Sequence, residues 1–146
     1  MFDMRRRDFI TLLGGAAAAW PLAARAQQAE RARRIGVLLP ATAGDAQYQA
    51  WAGAFVQALA ESGWSVDCNL SIDTRWTTAN ADAIRRHAAE LVTLAPDVIL
   101  APGASTVGPL LQVTRTVPIV FAIVGDPVGA GFVDSLARPG GNATGF

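Results

Sequence analysis

Three short, continuously apolar runs, separated by segments of helical length, constrain this chain more than any other feature. They are Ile35-Gly36-Val37-Leu38-Leu39 between Arg34 and Pro40, Val98-Ile99-Leu100-Ala101 after Asp97, and Ile119-Val120-Phe121-Ala122-Ile123-Val124 after Pro118. Runs of this length bounded by charge or proline suit strands buried on both faces, as parallel strands are. A fourth segment, residues 70–76, instead alternates apolar and polar side chains over most of its length. That pattern suits an edge strand with one wet face.

The segments between have helical spacing. Residues 46–62 place Tyr48, Trp51, Ala52, Phe55 and Leu59 on one face and stop at Gly63. Residues 78–94 place Ile84, Ala88, Leu91 and Val92 on one face, closed by Pro96. Ser105 or Thr106 is expected to cap a short helix, with Pro109 tolerated in its first turn. Asp126-Pro127 has the form of an N-cap followed by proline at the first helical position, opening a helix to about Leu136. Pro139-Gly140-Gly141-Asn142 then turns the chain into a fifth strand, residues 143–146. The alternation predicts an α/β fold, an open parallel sheet flanked by helices with right-handed crossovers. With residues 70–76 at the edge, the expected strand order is 2-1-3-4-5.

Ahead of this domain, Arg5-Arg6-Arg7-Asp8-Phe9-Ile10 leads into an apolar run and then Ala24-Arg25-Ala26. A charged start, an apolar middle and a small-x-small site are the parts of an export signal. The run, broken by Gly14, Gly15 and Pro21, is shorter than the ~20 residues needed to span a bilayer. The pair Arg6-Arg7 with Phe9 and Ile10 suits a twin-arginine address, read by the translocase that carries folded proteins. The expected organisation is a signal over residues 1–26, cleaved near Ala26, and a domain over residues 27–146. Because the chain reaches Phe146 just as a new strand begins, that domain is expected to be part of a larger protein.

Charge and cysteine usage exclude several classes. The 12 basic and 12 acidic residues lose four arginines and two aspartates with residues 1–26, leaving eight and ten. No basic stripe remains for a nucleic-acid partner. The single Cys68 cannot form an internal disulfide, no His or Cys cluster suggests a metal, and the lone His87 suits a helix surface.

Ligands of open parallel sheets bind outside the carboxyl ends of the strands. Three loops fall there: residues 40–45, 102–106 and 124–127. The first lacks a GxGxxG pattern and no P-loop occurs, so neither a dinucleotide nor any other cofactor is expected. In the second, Gly103 permits close backbone approach, and Ser105 and Thr106 stand where helix N–H groups attract a carboxylate, although simple capping explains them as well. In the third, Asp126 is either a cap or a receptor for an ammonium group. No nucleophile elbow, no histidine placed as a base and no carboxylate pair on one loop supports catalysis.

Taken together, Arg33-Arg34-Ile35-Gly36-Val37-Leu38, Ala88-Ala89-Glu90-Leu91-Val92, Ala95-Pro96-Asp97-Val98-Ile99-Leu100-Ala101, Pro118-Ile119-Val120-Phe121, Asp126-Pro127-Val128-Gly129-Ala130-Gly131-Phe132-Val133 and Leu136-Ala137-Arg138-Pro139-Gly140-Gly141-Asn142-Ala143-Thr144-Gly145 resemble the solute-binding proteins of ABC importers, in the tryptophan/tyrosine-type family. The resemblance covers residues 33–146. It implies a periplasmic-binding-protein type I-like lobe, the first of two, with a small-molecule ligand held in the cleft between lobes and a permease in the inner membrane as partner. It maps the ligand loops to Thr42, to Gly103, Ala104, Ser105 and Thr106, and to Gly125, Asp126 and Pro127. Ser105-Thr106-Val107-Gly108-Pro109 departs from the Thr-Pro and Ala-rich start more usual in relatives. The implied ligand is amino-acid-like or a small carboxylate, and the implied location is the periplasm. An exported α/β enzyme or the ligand-binding lobe of a sensor is the alternative, and genes for a permease and an ATPase alongside would separate the two.

Overall fold

Five strands hydrogen-bond in the order β2-β1-β3-β4-β5, all parallel. They are β1 (Arg33–Leu39), β2 (Leu70–Trp76), β3 (Val98–Pro102), β4 (Ile119–Ala122) and β5 (Ala143–Gly145). The computed structural model describes residues 31–78 and 80–146, so the export signal, with Arg6 and Arg7, lies outside the described residues. Helices α1 (Ala46–Glu61), α2 (Ala81–Thr93) and α3 (Ala104–Val113) connect the first four strands. The expected class and strand order are those observed. β2 is at the edge, as its alternation required, and only its Leu70 is fully buried.

The two faces of the sheet are covered unequally. On one face Leu38, Ile99, Ala101, Ile119, Phe121 and Ala143 pack against Ile84, Ala88 and Leu91 of α2 and Val107 and Leu110 of α3. Gly36 admits that packing, since a Cβ there would lie 3.2 Å from Ile99. On the other face Ile35, Val37, Leu39 and Leu70 meet Tyr48, Phe55 and Leu59 of α1. Here α1 covers β1 and β2, whereas Val98, Leu100, Val120 and Ala122 stay half-buried beyond it. Along β3 and β4 the side chains therefore alternate between a sealed core and a partly open apolar surface.

Local signals set the helix ends. Asp45 caps α1 through the amides of Gln47 and Tyr48 at 3.0 and 3.1 Å, and Gly63 at φ 89° ends it. Asn80 caps α2, which therefore starts at Ala81 and not at Thr78. At the amino edge of the sheet, Asp97 accepts from the Arg34 amide at 2.8 Å and from the Arg33 guanidinium at 3.0 Å.

Three local expectations are corrected. The cap of α3 is Gly103, at φ 86° and ψ 146°, with no side-chain capping bond; neither Ser105 nor Thr106 holds that place. Pro109 lies in the second turn of α3, where it removes the amide that would have bonded the Ser105 carbonyl. The helix expected from Asp126 to Leu136 does not form. Asp126 does cap a turn, accepting from the Gly129 amide at 2.7 Å. Gly131, at φ 73°, then stops it: the Phe132 amide bonds the Pro127 carbonyl and the Gly131 amide bonds the Val128 carbonyl. That is the bonding of a glycine-terminated helix end, reached after a single turn.

Candidate functional site

The carboxyl ends of β1, β3 and β4 form one edge, built by backbone bonds across the sheet. The Gly103 amide donates to the Ala122 carbonyl at 2.9 Å, tying the exit of β3 to the exit of β4. Gly103 also lies against the first loop, since a Cβ placed on it would be 3.8 Å from Pro40 and 4.0 Å from the Ser105 hydroxyl. At the head of α3, the amides of Ala104 and Ser105 precede any residue able to accept them within the helix. Ala104 and Ser105 are exposed. With no side-chain cap in front of them, these donors and the positive end of the helix dipole face outward from the edge.

Thr106 behaves differently from Ser105. It is fully buried, and its hydroxyl lies 3.0 Å from the Pro102 carbonyl and 2.9 Å from that of Gly103. Its proton is committed to the last turn of backbone before α3, which it ties to the helix. Thr42 is exposed at the tip of the first loop, where its carbonyl accepts from the Asp45 amide at 3.0 Å. Gly125 and Asp126 are exposed and Pro127 is buried. The structure thus joins Pro40, Gly103, Ser105 and Ala122 at one place, while no hydrogen bond links Thr42 or Asp126 to them. Among the described residues no group of three or more His, Cys, Asp or Glu could hold a metal ion.

One feature of this edge has no local signature in the sequence. Beside it, between α1 and the sheet, lies an apolar cavity of about 310 Å3. Leu39, Trp51, Phe55, Leu100, Pro102 and Ile123 are among its lining residues. Trp51 was legible as part of the apolar stripe of α1, yet it is 41 % exposed and stands at the cavity, not in the core. No sequence signal marked Ile123.

The carboxyl edge of an open parallel sheet is where ligands of such folds bind, and here that edge carries the head of α3 beside an apolar cavity. Residues 34–146 match the family described as ABC transporter substrate binding protein, and the chain belongs to that family. It is 32 % identical over 91 residues to the tyrosine-binding protein of Clostridioides difficile (strain R20291), covering 62 % of this chain and 26 % of that one. A conserved domain protein from Vibrio cholerae O1 has a similar fold at a TM-score of 0.73 and 30 % identity, over 79 % of this chain and 38 % of that one. An ABC domain from Streptococcus pneumonia, solved in complex with L-Trp, aligns at a TM-score of 0.71 and 26 % identity, over 78 % and 38 % of the two chains. The chain spans about a quarter of the length of the curated relative and under two-fifths of each of these solved ones.

Proposed function

We propose that residues 27–146 are the first lobe of the extracytoplasmic solute-binding component of an ABC importer, and that its ligand is an amino acid with a large side chain. The observation that carries this reading is the uncapped head of α3, placed by Gly103 at the carboxyl edge of the sheet and flanked by an apolar cavity. A ligand carboxylate has donors there in the Ala104 and Ser105 amides and the Ser105 hydroxyl, each a charge-assisted bond. Asp126 is the candidate partner for the ligand ammonium, and Thr42, Gly125 and Pro127 complete the rim. Thr106 serves by fixing the helix head, because its hydroxyl is already bonded to carbonyls of the chain. The names of the relatives, one tyrosine-binding and one crystallised with L-Trp, support the ligand class.

In this reading residues 1–26 direct export to the periplasm through the twin-arginine translocase, a second lobe closes over the ligand, and a membrane permease receives it. No chemical step is assigned to the chain. The test is calorimetric titration of the complete gene product with L-tyrosine and L-tryptophan, alongside Ser105→Ala. Micromolar binding by the parent protein, weakened about tenfold by loss of one charge-assisted hydrogen bond of roughly 1.5 kcal/mol, is the expected result. No binding of either amino acid would refute the ligand class.

A further inference from the structure

Among the described residues three other than glycine adopt a positive φ: Asp67, Ala95 and Ile123. Asp67 sits in a turn and Ala95 ends α2, places where the left-handed conformation is ordinary. Ile123, at φ 59°, is β-branched and in neither setting, so its backbone is a true outlier. Elsewhere in the 123–142 segment the chain meets positive φ with glycine, at Gly131 and Gly140. Here it keeps a large apolar side chain at a position that favours glycine.

Among the described residues that side chain is little covered. Ile123 is 62 % exposed although it borders the apolar cavity with Leu39, Pro102 and Trp51. Strain of this kind persists where the surrounding structure imposes it, and it gathers at ligand clamps. The surroundings are specific: the residue before it, Ala122, holds the Gly103 amide, so Ile123 follows directly from the bond that positions the head of α3.

We infer that Ile123 is a specificity-determining residue of the ligand site, presenting an apolar surface on which the ligand side chain lies while its carboxylate meets the amides of α3. The inference rests on the proposed solute-binding role and deepens it: the cavity beside the site, about 310 Å3, takes the apolar part of the ligand. That volume falls at the lower end of the range for small-molecule sites. Burying Ile123 under the ligand recovers the contact area that the strained backbone holds open.

The experiment compares the complete parent protein with Ile123→Gly and Ile123→Asn, by calorimetric titration with L-tryptophan and L-tyrosine and by ligand-free melting. Glycine releases the strain and removes the side chain. The expected result is a melting temperature close to the parent's, because released strain offsets the added freedom of the unfolded chain, together with affinity reduced at least tenfold. Asparagine tolerates the left-handed backbone but sets an amide against the ligand, and is expected to weaken binding as well. Affinity within twofold of the parent in either variant overturns the inference and leaves the solute-binding role standing. A lower melting temperature for both Ile123→Gly and Ile123→Asn, or failure of both to fold, also overturns it, because the side chain is then a packing residue. A parent protein that binds neither amino acid takes down the inference and the ligand class together.

Discussion

Replacing Gly103 by alanine isolates how the head of α3 is held. At φ 86° and ψ 146° this residue occupies a region of backbone space used almost only by glycine. Forcing a residue with a Cβ into such regions costs about 1–3 kcal/mol. The cost is conformational and not a collision, since the nearest atoms to an added Cβ are Pro40 Cγ at 3.8 Å and Ser105 Oγ at 4.0 Å. Alanine also narrows the unfolded ensemble, which offsets roughly 0.4–1 kcal/mol. The net loss therefore lies within about 0–2.6 kcal/mol and centres on roughly 1.3 kcal/mol, at about 2–8 °C of melting temperature per kcal/mol over the range of domain sizes that brackets this one. Urea unfolding followed by circular dichroism measures it, with Gly44→Ala as control. Gly44 lies outside the positive-φ region with open space around it, so that variant should match the parent or exceed it slightly. Equal midpoints for Gly103→Ala and the parent would refute the claim that this conformation builds the edge. The alanine variant should also bind ligand less well, because relaxing φ at residue 103 disturbs the bond from the Gly103 amide to the Ala122 carbonyl and re-aims the amides of Ala104 and Ser105 that follow it.

Other perturbations probe separate parts of the molecule. Asn142→Ala removes a side-chain amide that donates to the carbonyls of Val117 at 2.8 Å and Thr114 at 3.4 Å, pinning the α3–β4 turn. It should cost about 1–3 kcal/mol in chemical denaturation, with the first loss of hydrogen-exchange protection at residues 114–118. Glu90 is held below its ordinary value of 4.5 by hydrogen bonds from His87 and then Arg75. Its contribution is complete above the unfolded value and disappears as pH falls through the lowered folded value; Glu90→Gln should remove that part of the acid limb of a stability–pH curve, a small effect for an exposed cluster. Changing Arg6 and Arg7 together to Lys should leave the precursor in the cytoplasm, seen by cell fractionation, because an ammonium lacks the guanidinium fork. Periplasmic accumulation at parental levels would rule out the twin-arginine route.

Which features were legible in the chain follows from how far apart their causes lie. An interior place in the sheet writes itself as a continuous apolar run and an edge place as alternation, so four of the five strands, their parallel pairing and the edge place of β2 could be taken from residues 34–124, and the fifth strand from the turn at residues 139–142. Helix ends were legible where one residue decides them, as at Gly63. They failed where two signals competed: Asp126-Pro127 opens a turn, and Gly131, five residues on, closes it before a second can form. At α3 the hydroxyls of Ser105 and Thr106 pointed to a side-chain cap. The backbone used Gly103 instead, and turned Thr106 inward to satisfy the carbonyls of Pro102 and Gly103. One consequence bears on function, because a helix without a side-chain cap leaves its first donors to a ligand. Ile123 was not legible at all. Its left-handed backbone sits at a cavity shared with residues of β3 and α1, distant in sequence, and nothing in Ala122-Ile123-Val124 distinguishes it from the strand that precedes it.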